Sequence, residues 1–259
     1  MLKGVEERRR EPCYLAVRLR AVNALDVKTM RAKVVFRVFL VFRPHNAAKS
    51  ALPTDAKHRI KSDCEAEWKP DLVDALPTLA IKNGREISDK EPLKEFFRVE
   101  DAKLISKDGK EQDLWFPPAS PDPDCSEHIA ILTYQMEAEV TLDMNLKAFP
   151  FDSHDIAIKL FLPKKHKDWI YEFVCSDDMH IASERIHSKN VVRTGHGTLE
   201  VVPDAMKSLC EWENVNASTD TKAAKSDQTE ATFTLKVRRL PQFWQDKVRR
   251  MCPPTHAIP

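Results

Sequence analysis

The chain has 259 residues, 42% of them hydrophobic and 31% charged, with a formal net charge of +1. Those proportions belong to a globular chain long enough for one large β domain or two small ones. Near-neutrality excludes a global field that would attract nucleic acid, and no run approaches the roughly 18 uninterrupted apolar residues of a membrane-spanning helix.

Residues 1–13 read as a charged lead or short helix, in which Arg8, Arg9 and Arg10 are balanced by Glu6, Glu7 and Glu11. No apolar core of a signal peptide is visible there. A strand follows, with Leu15, Val17, Leu19 and Ala21 on one face, then a turn over Asn23–Lys28. A second strand, Val34–Phe42, has Phe36, Val38, Leu40 and Phe42 in phase. Pro44–Asp63 is polar and irregular. Trp68, Pro70 and Asp71 open a short element, and Asn83-Gly84 is a turn signal. Phe96–Ile105 and Glu111–Phe116 flank Lys107-Asp108-Gly109 as a hairpin. Pro117–Asp124 holds four prolines and reads as a loop.

From Tyr134 to Leu146 every even position is apolar, and the same parity returns in Ile156, Ile158, Leu160 and Leu162. Alternation of this length predicts two half-buried strands. Between them lies Phe149-Pro150-Phe151-Asp152. Pro150 fixes its own φ and pushes Phe149 into an extended conformation, so the loop offers two rings and a carboxylate in one geometry. Ile170–Cys175, Thr198–Val202 and Cys210–Val215 are weaker strand candidates. Ala231, Phe233, Leu235 and Val237 mark a clear last strand. About ten short strands of this kind predict an all-β fold, an antiparallel β-sandwich. With only five glycines, the turns must draw on Pro, Asn, Asp and Ser.

The Phe149–Asp152 segment resembles the signature loop of the pentameric ligand-gated ion channels, the Cys-loop receptor superfamily. The two cysteine slots of that loop, with thirteen residues between them, fall on Leu142 and Ile156. The chain is therefore similar to the disulfide-free, prokaryotic-type members. Other landmarks follow in order: Asn23–Asp26 as the first tip loop, Trp68-x-Pro70-Asp71, Gly109 followed by Trp115, Pro117 and Pro118, Glu211-Trp212, and Arg238-Arg239 before Leu240-Pro241-Gln242-Phe243-Trp244. The match covers roughly residues 14–245.

The resemblance implies an immunoglobulin-like extracellular ligand-binding domain over 14–240. It also implies a pre-membrane segment with a truncated or aberrant tail over 241–259. Expected partners are other subunits of a pentamer (a homopentamer being the simplest case), a small ligand, and a pore domain in the membrane. It further implies a coupling cluster of Asp26, Asp152 and Arg239, with Arg238 as a substitute and Phe149, Pro150 and Phe151 beside it. Parity supports this in part, because Arg239 shares the inward face of Phe233, Leu235 and Val237 and would need carboxylate partners if buried. The ligand site departs from the family. The aromatic-box slots fall on Ala75 and Pro163, and Phe39 and Phe42 are the nearest aromatics to the missing Trp-x-Asp, so a cationic amine held by cation–π attraction is disfavoured.

Asp152-Ser153-His154-Asp155 contains the three residue types of a hydrolytic triad, but in sequence, whereas triads converge in space. Six cysteines without C-x-x-C or zinc spacing, and histidines 180, 187 and 196 without a carboxylate pattern, point to no metal and no cofactor. Disulfide pairing is not readable from the spacing, and free thiols are the simpler reading. No enzyme is expected. The alternatives to a channel domain are a soluble ligand-binding protein of the same fold and an intracellular β-sandwich that makes only protein contacts.

Overall fold

The computed structural model describes residues 9–43, 60–61, 77, 79–87, 93–99, 102–106, 108–116, 129–144, 146–149, 151–162, 169–175, 179–182, 199–222, 230–244 and 247. Fifteen strands lie among them. In chain order they are β1 (Arg9–Asp26), β2 (Arg31–Phe42), β3 (Ile60–Lys61), β4 (Ala80–Ile81), β5 (Gly84–Glu86), β6 (Leu93–Val99), β7 (Lys103–Ser106) and β8 (Glu111–Asp113). They continue with β9 (Ile129–Thr141), β10 (Ser153–Phe161), β11 (Trp169–Val174), β12 (Met179–Ala182), β13 (Leu199–Val201), β14 (Trp212–Lys222) and β15 (Glu230–Arg239). The all-β expectation holds. The strand count exceeds about ten in part because β1 and β9 are each paired along one edge by two short strands end to end.

An eight-stranded sheet runs β11-β1-β2-β9-β6-β3, with β13 also on β1 and β5 also on β9. A four-stranded sheet runs β14-β15-β10-β4, and a three-stranded sheet runs β12-β7-β8. The first two sheets enclose the main core. Val34, Phe36, Val38, Leu40 and Phe42 of β2 meet Met136, Ala138 and Val140 of β9 there, against Ile156, Ile158, Leu160, Phe233 and Leu235 of the smaller sheet. A second cluster on the far side of the large sheet gathers Tyr14, Phe39, Val41 and Ile131 with Leu114, Phe116 and Ile181. It explains why β2 stops alternating after Val38: Phe39–Phe42 are all buried, as a strand covered on both faces should be.

Several boundaries differ from the sequence reading. β1 begins at Arg9, so Arg9–Cys13 are extended rather than helical, and they pair in parallel with Trp169–Phe173. β13 is also parallel to β1, so the large sheet is mixed. The first turn lies at Val27–Met30 rather than Asn23–Lys28, because register shifts after Leu19 and Val22 let β1 run on to Asp26. Met30 takes the turn's positive φ of 53°. Phe96–Ile105 is two strands in two sheets, β6 on β9 and β7 on β8. The β7–β8 hairpin turns through Gly109 at φ 76°.

β9 ends at Thr141, and Leu146 is exposed in a short 3-10 helix, Leu146–Ala148. The strand expected at Cys210–Val215 is Trp212–Lys222 instead. Its mostly polar run Asn216–Lys222, in which only Ala217 is apolar, is extended because β15 pairs it residue for residue. Trp68, Pro70, Asp71, Pro117, Pro118, Pro150 and the slots at Ala75 and Pro163 lie outside the described residues. No helix among the described residues is long and apolar enough to cross a membrane.

Candidate functional site

The segment from β9 to β10 passes from the large sheet to the smaller one. An isolated antiparallel bridge pairs Asp143 with Asp155, a register that sets Leu142 opposite Ile156. Both are buried, so the register sets Leu142 and Ile156 together as an apolar pair. The chain then turns through the 3-10 helix, with Phe149 N–H donating to Leu146 and Phe151 N–H to Ala148. It re-enters the sheet at Ser153, opposite Arg238 of β15. On the other side of β15, Trp212 of β14 stands opposite Arg239. The backbone closes the junction: Arg239 N–H donates to the Asp152 carbonyl at 3.1 Å, and Leu240 N–H to the Glu211 carbonyl at 2.8 Å.

This register places Arg239 between Asp152 and Trp212. The residue is 2% exposed and Asp152 is 1% exposed, so neither charge has water to solvate it and each depends on the other. Arg239 Nε donates to Asp152 Oδ1 at 2.8 Å and Nη2 to Oδ2 at 3.3 Å, the two-pronged geometry that suits guanidinium and carboxylate. Nη1 donates to Glu211 Oε2 at 3.3 Å. The guanidinium carbon lies 4.2 Å from the Trp212 ring centre, 4.9 Å from Phe149 and 5.7 Å from Trp244, all within cation–π range. Phe149 and Trp244 meet edge to face at 5.1 Å. Residues 241–244 begin a helical turn directly after β15, which brings Trp244 back over the arginine.

His154 is the member that parity should have flagged. It sits at an even, inward position of β10 and is buried. Its Nε2 lies 2.5 Å from Asp152 Oδ2 and its ring 5.6 Å from that of Trp212. A carboxylate only accepts, so Nε2 carries the hydrogen. Burial pushes the Asp152 carboxyl up, but hydrogen bonds from Arg239 and His154 and the adjacent guanidinium charge outweigh it, holding the group below the ordinary aspartate value.

Asp26, named with this cluster from the sequence, is not in it. It is exposed. Its carboxylate accepts from the N–H of Lys28 and Thr29 at 2.9 and 3.3 Å and from the Thr29 hydroxyl at 2.8 Å, capping its own turn. Those bonds, the Thr29 hydroxyl first, hold its pKa down. A short Asp at a turn is well suited to this local role. Glu211 takes the place of second carboxylate. Arg238 points to the opposite face and pairs with Glu213 at the surface.

The triad reading has no geometric support. Ser153 is exposed on the face opposite His154, and the histidine nitrogen is engaged with Asp152. Phe149 is 50% exposed and Phe151 67% exposed, so the loop presents apolar surface beside a locked charge pair. Phe39 and Phe42 are buried in the two cores and cannot serve a ligand box. No cluster of His, Cys, Asp and Glu suited to a metal occurs among the described residues, and Cys13 and Cys210 are free thiols. No protein-family model matches the chain, and no curated protein matches it.

Proposed function

We propose that this chain is the extracellular ligand-binding domain of a pentameric ligand-gated channel subunit, and that it passes the effect of ligand binding to a pore domain in the membrane. The observation that carries the reading is the buried Arg239–Asp152 pair. It ties the loop that joins the two sheets to the last residue of the last strand, where the chain leaves the sandwich. Any rearrangement between the sheets must act on that junction. The exposed rings of Phe149 and Phe151 beside it offer a contact surface to whatever lies below. The Leu142–Ile156 pair closes the same loop without a disulfide.

On this reading the domain lies outside the membrane, its partners are other subunits, and its work is binding and mechanical coupling rather than catalysis. The ligand is a small molecule other than a cationic amine, because Ala75 and Pro163 occupy aromatic-box slots. The test joins residues 1–240 to a pore domain of the family and compares ligand-evoked currents and surface levels with those of Asp152→Asn and Arg239→Gln. Impaired gating or assembly in both variants supports the reading. Wild-type currents and surface levels in both would sink it.

A further inference from the structure

Away from the Arg239 cluster, a cleft of about 360 Å³ opens where the end of β9 meets β2 and the turn between β4 and β5, lined by Arg31, Lys82, Asn83, Gly84, Arg85, Glu139 and Thr141. Its walls are fixed. The Asn83 side chain donates to the Ala157 carbonyl of β10 at 2.8 Å and accepts from Lys159 N–H at 3.0 Å, while its carbonyl accepts from Thr141 N–H of β9 at 2.8 Å. One residue thus staples the two sheets at the cleft. A Cβ on Gly84 would fall 2.4 Å from the Glu139 carbonyl oxygen, so only glycine lets β5 lie this close to β9. That approach brings Arg85 beside Glu139.

The charges are uneven. Three cations and one carboxylate line the cleft. Arg31 Nη1 donates to Glu139 Oε1, and Arg85 Nη2 donates to Oε2 at 3.3 Å, so the two arginines flank one acid. Lys82 reaches Glu230 outside the lining, which still leaves an excess of one positive charge over the five groups. The arginine side chains are 51% and 71% exposed. Each guanidinium has several N–H donors, and one nitrogen of each donates to Glu139, so each has further donors to offer an anion. Paired guanidiniums in a preformed concavity suit the planar, two-pronged recognition of an oxyanion.

We propose that this cleft binds a small oxyanion, a carboxylate or phosphate group, between Arg31 and Arg85, with Lys82 at its edge. The inference stands on the cleft alone and does not depend on the channel reading. An anion held there bridges β2 to β5 and, through Asn83, steadies the strand that follows the Phe149 loop.

The experiment titrates the full chain with sodium succinate and, separately, inorganic phosphate at constant ionic strength, by calorimetry and by melting temperature, with chloride as the control. Arg85→Glu, an exposed change on an edge strand, and Arg31→Gln are measured alongside, with circular dichroism to confirm folding. Expected is saturable binding of at least one anion to the wild type, weakened about tenfold or more in folded Arg85→Glu. Shifts equal in wild type and Arg85→Glu would show a general salt effect and overturn the proposal, as would no saturable binding by either anion. If both variants instead lose subunit association with no anion bound by the wild type, the patch is a contact between copies and the proposal also fails.

Discussion

Removing the guanidinium of Arg239 would leave Asp152 buried against aromatic rings with His154 as its main remaining partner. Breaking a buried pair from one side costs about 3–5 kcal/mol, so Arg239→Gln is expected to lower the melting temperature sharply, with the two-state transition read by circular dichroism. An exposed pair on the same strand gives the contrast. Arg238→Gln removes a surface contact with Glu213 and should cost at most about 1 kcal/mol.

The pH dependence has a defined sign. Asp152 has a folded-state pKa below its ordinary value of 3.8, so its ionised form stabilises the fold. That contribution is complete above about pH 3.8 and is lost as pH falls from there through the lower folded value. Melting curves of wild type and Asp152→Asn should therefore differ most near neutrality and converge in the acid limb. A constant gap down to the lowest pH at which both fold would contradict the assignment.

At the scale of elements, the bridge between Asp143 and Asp155 sets Leu142 and Ile156 face to face. Directly opposed strand residues have Cα atoms about 4.5–5.5 Å apart, within disulfide reach. The double substitution Leu142→Cys with Ile156→Cys should form a disulfide under oxidising conditions and raise stability by about 2–4 kcal/mol relative to its reduced form. Thiol counting and the melting temperature with and without reductant check it. A pair that stays reduced would mean the register is not as stated.

Gly84→Ala tests another joint. Its Cβ would press on the Glu139 carbonyl, and relieving the clash should cost about 1–3 kcal/mol. Amide exchange of Thr141, bonded to Asn83, and of Ile87, bonded to Glu137, should accelerate if β5 lifts from β9.

For the whole molecule, the channel-domain reading predicts that the purified chain assembles in fives. Size-exclusion chromatography with light scattering gives the mass directly. A strict monomer at high concentration would remove the main support for a subunit role and favour a module that works alone.

The alternation in β9, β10 and β15 was readable without coordinates, since one buried face per strand imposes a period of two. It located the core, the all-β class, the inward course of Arg239 and the loop that holds Asp152. Other features depended on neighbours far along the chain. Asn216–Lys222 is polar except for the buried Ala217 and is a strand because β15 supplies its hydrogen bonds. Phe39 and Val41 are buried because a third sheet covers them. Arg9–Cys13 are extended because β11 lies alongside. That Glu211 rather than Asp26 reaches Arg239 has a similar reason. Sequence shows that a buried arginine needs acids, but which acid reaches it depends on how the turns close. A turn-capping bond satisfies Asp26 locally, whereas the pairing of Trp212 with Arg239 brings Glu211 to the guanidinium. The sequence by itself determined which faces turn inward, because burial follows a local period; only the tertiary structure decided which charges meet, because that is set by register between strands distant in the chain.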